Sequence, residues 1–427
     1  MHDIRLLRDH LDRLRDGMRR RNKLGELAPL LDQAEDLERD RRSAITELEA
    51  QQAQRNRLTQ EVGVRRKAGE DATEQMAAGR AVGDIIAALE QRKSSAEEAV
   101  QALMYELPNI TLDEVPEGGE NANRIMRTWG APRPDGSLIK PHWEVGERLG
   151  MLDLARGAKI SGSGFIVYRG IGARLVRGLM NMMLDIHTSE HGYEECSVPL
   201  VVNRASMTGT GQLPKFADDM YRVGDEDLFL IPTSEVPVTN LYRDEILDAT
   251  ELPKNFCAFT ACFRREAGAA GKDTRGLLRV HEFDKVELVK YTTPETSLTE
   301  LELLTSHAEV ILQRLELPYR VLLLAAGDTG FASAKTYDLE VFAPGVGKWL
   351  EVSSCSVMTD FQARRANIRY RPAPGEKPRF VHTLNGSALA FSRIIASLLE
   401  HGQQPDGSVH VPEALQSYIG RSTLIGA

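Results

Sequence analysis

The most regular apolar pattern lies near the start of the chain. Leu37, Ala44, Leu48, Leu58 and Val62 trace one seam, with Arg41, Gln51 and Arg55 filling other steps. Val82, Ile86, Leu89, Ala96, Val100, Leu103 and Leu107 trace a second. Steps alternating between three and four keep such residues on one face of a helix and are those of a coiled coil. From about Leu30 to Leu107 the chain has almost no Pro, little Gly and much Ala, Glu, Gln and Arg, a composition that favours helix. A polar break from Arg65 to Thr73, holding Gly69 and Asp71, separates the seams. The pattern predicts an antiparallel pair of long helices. About 34 residues of helix reach roughly 50 Å at 1.5 Å per residue. Pro108, Pro116, Gly118 and Gly119 then mark a boundary, which divides the chain into residues 1–108 and 109–427.

Beyond the boundary, helical and strand patterns mix. Residues 142–154 read as a short helical connector. Leu175, Leu179, Met182, Met183 and Ile186 recur at helical spacing and predict a core-facing helix over 173–191. Residues 298–315 read as an amphipathic helix, and 385–401 as a closing helix entered through Gly386 and Ser387. Strands are expected over 193–202, with Pro199 near its end, and over 228–231. Others are expected over 258–265, 283–291, 336–342, 348–354 and 361–370. A largely antiparallel sheet with a few helices is an α+β domain.

Composition narrows this picture. A chain of 427 residues exceeds one ordinary core, so two domains are expected, and 42% hydrophobic residues suffice to build them. The net charge of −9 excludes a general nucleic-acid coat protein, so any polyanion must meet a local patch. One such patch is Arg55, Arg57, Arg65, Arg66 and Lys67, opposed only by Glu61. It suits a phosphate backbone, and equally a solvated or dimerising coiled-coil surface. Cys196, Cys257, Cys262 and Cys355 form no CxxC pair and read as free thiols of a reducing cytosol, so no zinc is expected. The charged N-terminus and the lack of a long apolar run point to a cytoplasmic protein away from membranes. No GxxxxGK[ST], GxSxG or HExxH occurs.

The candidate chemistry centres on residues 263–287, FRREAGAAGKDTRGLLRVHEFDKVE. Arg264, Arg265 and Glu266 open it; Gly268, Gly271 and Gly276 loosen its middle; Arg279, Phe283 and Glu287 follow in a strand-like stretch. This reads as a hairpin with guanidinium groups near both ends. Planar, permanently charged donors suit a triphosphate, although by itself the stretch also fits a surface ribbon. Thr233, Ser234 and Glu235 leave the strand at 228–231 and could hold a small amine, or merely cap a helix.

Several motifs together resemble one family. Residues 258–291, around Arg264–Arg265–Glu266, resemble motif 2 of the class II aminoacyl-tRNA synthetases; residues 383–401, with LNGSALAFSR, resemble motif 3; residues 164–202 resemble motif 1. More narrowly, MHDIRLLR, the helical arm, PTSEVPVTN, LEVSSCS, DFQARRANIRYRP and TLNGS follow the order found in seryl-tRNA synthetases of the bacterial type. The resemblance implies an α+β protein: an N-terminal antiparallel coiled-coil arm that binds tRNA, and a class II catalytic domain built on an antiparallel sheet flanked by helices. It implies a homodimer that joins L-serine, activated with ATP as seryl-adenylate, to serine tRNA and, where one exists, to selenocysteine tRNA; DNA is not a partner.

Residue roles follow from the same resemblance. Arg264 and Arg393 would be catalytic. ATP would meet Arg264, Arg265, Glu266, Arg279, Phe283, Glu351, Val352, Ser353, Ser354 and Arg393. Glu351 and Ser354 would hold Mg2+, and Thr233, Ser234, Glu235, Glu287 and Ser387 would form the serine pocket. Arg55, Arg57, Arg65, Arg66 and Lys67 would touch tRNA. His281 is read as structural. Glu282, Val357, Ala388 and Ser392 depart from the residues common in the family, which leaves open a specialised second copy resistant to adenylate mimics, or a paralogue serving another carrier.

Overall fold

The structure, a computed structural model, describes residues 1–133, 139–267 and 275–425. It divides into two compact units, Met1–Pro108 and Asn109–Ala427.

In the first unit, two short helices, Ile4–Asp9 and Leu11–Arg20, precede the long helices Leu24–Ala68 and Thr73–Glu106. The first long helix starts upstream of the expected position and runs through Pro29, because Leu27, Leu31 and Ala34 continue its buried face. Gly69 ends it in a left-handed conformation, φ 76°, with its N–H on the Arg65 and Arg66 carbonyls. The seams are shifted from those read in the sequence. Glu38, not Leu37, is fully buried, and its carboxylate is held by Arg41 at 2.6 Å. In the second helix Met104 rather than Leu103 faces inward. Leu48, Val82, Ile86 and Leu89 form a buried cluster with Leu58 against it.

The second unit is built on an eight-stranded sheet. Its strands in chain order are β1 (Arg124–Trp129), β2 (Glu194–Glu195), β3 (Lys254–Phe263), β4 (Glu282–Thr292), β5 (Tyr319–Leu323), β6 (Lys335–Ala343), β7 (Lys348–Thr359) and β8 (His382–Ala390). Across the sheet they run β1-β5-β6-β7-β8-β4-β3-β2. Every neighbouring pair is antiparallel except β2 with β3. Helices Ile171–Ser189, Ser297–Arg314 and Phe391–His401 contribute to its main core.

Three expected elements differ. Residues 385–390 are strand, and the closing helix begins only at Phe391. Gly386 is there for closeness, not for helix entry: a Cβ would lie 2.3 Å from Leu304 Cδ2 and 2.9 Å from Cys355 Sγ. Residues 361–370 are not one strand but helix Phe361–Ala366 followed by strand Arg369–Arg371, the break falling at Asn367 with φ 53°. Residues 193–202 carry two short strand pieces, Glu194–Glu195 and the start of Val201–Asn203, one on each side of Pro199, which cannot donate to a ladder.

Candidate functional site

Strand β4 sets the axis of the site. Phe283, Lys285 and Glu287 alternate onto one face, roughly 6–7 Å apart at each step. Glu287 and Lys285 line a cavity of about 450 Å³, and Phe283 and Lys285 line a narrower one of about 90 Å³ beside it. Arg264, Glu266, Arg279, Glu351 and Ser387 border both. The strand thus passes from an aromatic ring, past a cation, to a carboxylate.

At the carboxylate end, Ser387 on β8 stands directly across from Glu287. Glu287 is almost fully buried. Its Oε2 forms an ion pair with Lys285 but has no hydrogen-bond donor aligned with it. Lys285 Nζ also donates to Thr233 Oγ1 at 2.9 Å. Glu235, at the start of helix Glu235–Thr239, accepts from Gln362 Nε2 at 2.6 Å. Gln362 is oriented in turn, because its Oε1 accepts from Thr383 Oγ1 at 2.7 Å. Burial first, then the nearby charge of Glu287, push Glu235 up to about 7. Ser234 is also buried, but its hydroxyl meets Thr260 Oγ1 at 2.6 Å and does not line the cavity. The pocket therefore offers two acidic groups, a buried cation and small hydroxyls, a set suited to an amino acid with a hydroxyl side chain.

At the aromatic end, Arg264 lies over the Phe283 ring at 5.2 Å, and its Nε donates to the Pro232 carbonyl at 3.3 Å. Glu266 has φ 52°. This left-handed turn costs a side-chain-bearing residue about 1–2 kcal/mol, and the Glu266 carboxylate meets Arg279 across the site. Arg393 Nη1 reaches the Glu351 carbonyl at 2.7 Å and its carboxylate at 3.4 Å. His281 is structural in placement: its Nδ1 meets the Arg264 carbonyl at 3.0 Å and its ring packs over Gly164.

A one-residue bulge places Glu351 and Ser354. In a regular strand, residues three apart point to opposite faces. Here Ser353 pairs with Leu339 and Glu351 with Glu340, so Val352 is the extra residue. Glu351 and Ser354 then share a face with Glu340 and Asp338, their partners on β6. Asp338 is half-buried and its Oδ1 has no hydrogen-bond partner. Burial, then Glu351, hold it well above the usual carboxylate range. An accessible carboxylate, a hydroxyl and an orphaned acid oxygen fit a hard cation such as Mg2+ that takes its other ligands from phosphates. Among the described residues no cluster of three or more His, Cys, Asp or Glu is placed to hold a metal by itself.

The structure gathers most, not all, of the residues expected from sequence. Arg264, Glu266, Arg279, Phe283, Glu351, Val352, Ser354, Arg393, Thr233, Glu235, Glu287 and Ser387 line the two cavities. Arg265 is exposed and lines a separate hollow with Arg204, Tyr221 and Arg222. Ser353 is buried behind the site, its hydroxyl donating to the Ser387 carbonyl. Arg55, Arg57, Arg65, Arg66 and Lys67 are all exposed near the turn joining the long helices. Lys285, Gln362 and Asp338 were not singled out from sequence. Period-two alternation from Phe283 to Glu287 would have found Lys285; Gln362 and Asp338 depend on contacts between distant segments.

Comparison with known proteins follows the same lines. Residues 219–402 match the tRNA synthetase class II core domain (G, H, P, S and T), and residues 1–111 match the seryl-tRNA synthetase N-terminal domain. The serine–tRNA ligase of Gemmatimonas aurantiaca is 79% identical over 425 residues, covering 99% of this chain and 100% of that protein. That of Geobacillus kaustophilus is 51% identical over 426 residues, covering 100% of each. Among solved structures, seryl-tRNA synthetase from Pyrococcus horikoshii complexed with ATP has a TM-score of 0.96 at 38% identity, with 100% of both chains covered. Giardia lamblia prolyl-tRNA synthetase in complex with prolyl-adenylate, 16% identical with a TM-score of 0.56 over 65% of this chain and 57% of its own, shares the fold.

Proposed function

The chain belongs to the seryl-tRNA synthetases of class II, and from that membership and the site geometry we propose that it charges serine tRNA with L-serine. The observation that carries this is the single strand face bearing Phe283, Lys285 and Glu287. It orders an adenine platform, a place for the reacting groups and a serine pocket along one line.

The serine hydroxyl donates to Glu287, whose buried carboxylate is ion-paired with Lys285 in the free protein. Alanine offers that carboxylate no hydroxyl and is disfavoured for this reason. The serine ammonium faces Glu235 and Thr233. Adenine stacks on Phe283, with Glu266 at its exocyclic amine. Arg279 and Arg393, paired with Glu266 and Glu351 in the free protein, exchange these partners for the outer phosphates. Glu351 and Ser354 would hold the Mg2+ that accompanies ATP, which would neutralise phosphate charge there.

The already ionised serine carboxylate attacks the α-phosphorus. The bond to the β-phosphate oxygen breaks, giving seryl-adenylate and pyrophosphate. Arg264 stabilises charge growing on the α-phosphate oxygens. No general base is needed, so the step rests on alignment and charge. A terminal tRNA hydroxyl then attacks the acyl carbon, and AMP leaves.

The exposed cations Arg55, Arg57, Arg65, Arg66 and Lys67 support a tRNA-binding role for the long helices. Exposed Leu200 and Val201 in the motif 1 segment support a homodimer, and four free thiols, three of them buried, support a cytoplasmic setting. The test is serine-dependent ATP–pyrophosphate exchange followed by acylation of serine tRNA. Both are expected. Exchange without acylation would instead indicate transfer to another carrier, and no exchange would remove the activity altogether.

A further inference from the structure

A fully buried histidine–carboxylate pair lies outside the two cavities yet is tied to the segment leading into Arg279. Leu277 N donates to His142 Nε2 at 3.0 Å. His142 Nδ1 lies 2.7 Å from Glu400 Oε1, and the same oxygen accepts from His142 N at 3.0 Å. Glu400 Oε2 accepts from Gly345 N at 2.8 Å. Both side chains have 0% exposure. Because Leu277 offers only an N–H, Nε2 must accept and Nδ1 must carry the proton toward Glu400. One tautomer satisfies every bond. Gly276 keeps this contact open: a Cβ there would lie 2.4 Å from His142 Nε2.

The same helix holds the next residue from its other end. Arg393, about two turns before Glu400, donates from Nε to the Leu278 carbonyl at 3.3 Å. Leu277 and Leu278 are thus fixed by helix Phe391–His401, through His142 in one case and directly in the other. Arg279 follows at once and pairs with Glu266. Gly345 lies in the turn between β6 and β7, the strands that carry Asp338, Glu351 and Ser354.

We infer that His142 and Glu400 are positioning residues for ATP: they act through the Leu277 backbone to set Arg279 over the outer phosphates. A purely structural role explains this pair poorly, since replacing both partners of a buried hydrogen bond by apolar groups of the same shape is often nearly neutral for stability. A fully satisfied polar network, by contrast, fixes one arrangement of the backbone it holds. The inference rests on the reading of Arg279 as a phosphate ligand.

The test is Glu400→Gln, with His142→Asn in parallel, read by calorimetric binding of ATP with Mg2+ and, separately, of serine. The amide cannot accept at both ends, so either Gly345 or the His142–Leu277 link loses its partner. ATP affinity is expected to fall about tenfold, the effect of one lost buried hydrogen bond, while serine affinity stays within about twofold. In an Arg279→Ala background the same substitution should change ATP affinity by less than about twofold, because the residue it positions is gone. Equal losses for ATP and serine, ATP affinity unchanged in both the Glu400 and the His142 variants, or the full tenfold loss without Arg279 would each overturn the inference. Should both buried variants fail to fold, Gly276→Ala displaces His142 with every charge intact and must give the same pattern. Absence of pyrophosphate exchange by the unaltered chain would sink the proposed activity, while the binding measurements would still decide this relay.

Discussion

Glu235 is the residue whose surroundings most change its chemistry. Its burial and the neighbouring Glu287 raise it from 4.5 to about 7. The folded state therefore holds the proton more tightly than the unfolded one, and the contribution of Glu235 to stability is lost as pH rises from about 4.5 through about 7. A serine ammonium placed against it favours the ionised form. Serine affinity is accordingly expected to weaken below about pH 7, with a proton released on binding near pH 6. Calorimetry in buffers of different ionisation heat reads that release directly, and Glu235→Gln should abolish it. Binding that ignores pH would remove Glu235 from the ammonium. For Glu287→Gln, serine affinity should fall roughly ten- to a hundredfold, matching about 1.5–3 kcal/mol for a hydrogen bond to a charged group. Alanine binding should change far less, so the discrimination between the two, measured by competitive exchange, is the quantity to follow. Part of this was legible in the sequence, where Arg264, Glu287, Thr233 and Glu235 stand out as residue types, whereas their neighbours Arg265 and Ser234 stand out equally and line neither cavity. Gln362 did not stand out, because its role arises only when Thr383 and Glu235 meet it from opposite sides.

Two backbone irregularities build the site at the level of elements. The extra residue Val352 brings Glu351 and Ser354 to one face of β7, and Gly386 lets helix Ser297–Arg314 press against β8 beside Ser387. Neither follows from periodicity. A strand pattern over 348–354 gives no sign of a two-against-one pairing, and a glycine before a helical pattern reads as a boundary when it is in fact a point of close approach. The helices Ile171–Ser189 and Ser297–Arg314, by contrast, were legible almost to their ends, because long apolar faces outweigh local breakers. Gly386→Ala is expected to destabilise the protein by about 1–3 kcal/mol, the usual cost of overpacking a core, since the new methyl meets Leu304 at 2.3 Å. The urea midpoint measures this. In a Leu304→Ala background, where the methyl has room, the further cost of Gly386→Ala should be smaller than in the unaltered chain, and a midpoint unmoved by Gly386→Ala would show that β8 and the helix can separate freely.

The chain divides into the compact units Met1–Pro108 and Asn109–Ala427, and the proposed roles fall to different ones. Every described residue lining the two cavities belongs to the second unit, so the proposed serine activation is expected to survive without the first. The cations proposed for tRNA, Arg55, Arg57, Arg65, Arg66 and Lys67, all belong to the first. They form a positive patch on a chain of net charge −9, and that contrast was visible before any fold was known. A chain starting at Asn109 is therefore expected to keep pyrophosphate exchange within severalfold and to lose most tRNA acylation. Replacing the five cations with Gln should act more gently: exchange unchanged, acylation KM for tRNA raised, and the fall of tRNA affinity with salt made shallower. Each phosphate contact removed lowers the slope of log K against log salt by about 0.7–0.9, which filter binding over a range of salt concentrations resolves. A slope that stays the same while affinity drops would mean that the helices act by shape rather than by charge. Equal loss of exchange and acylation on removing the first unit would mean that the two units share the chemistry after all.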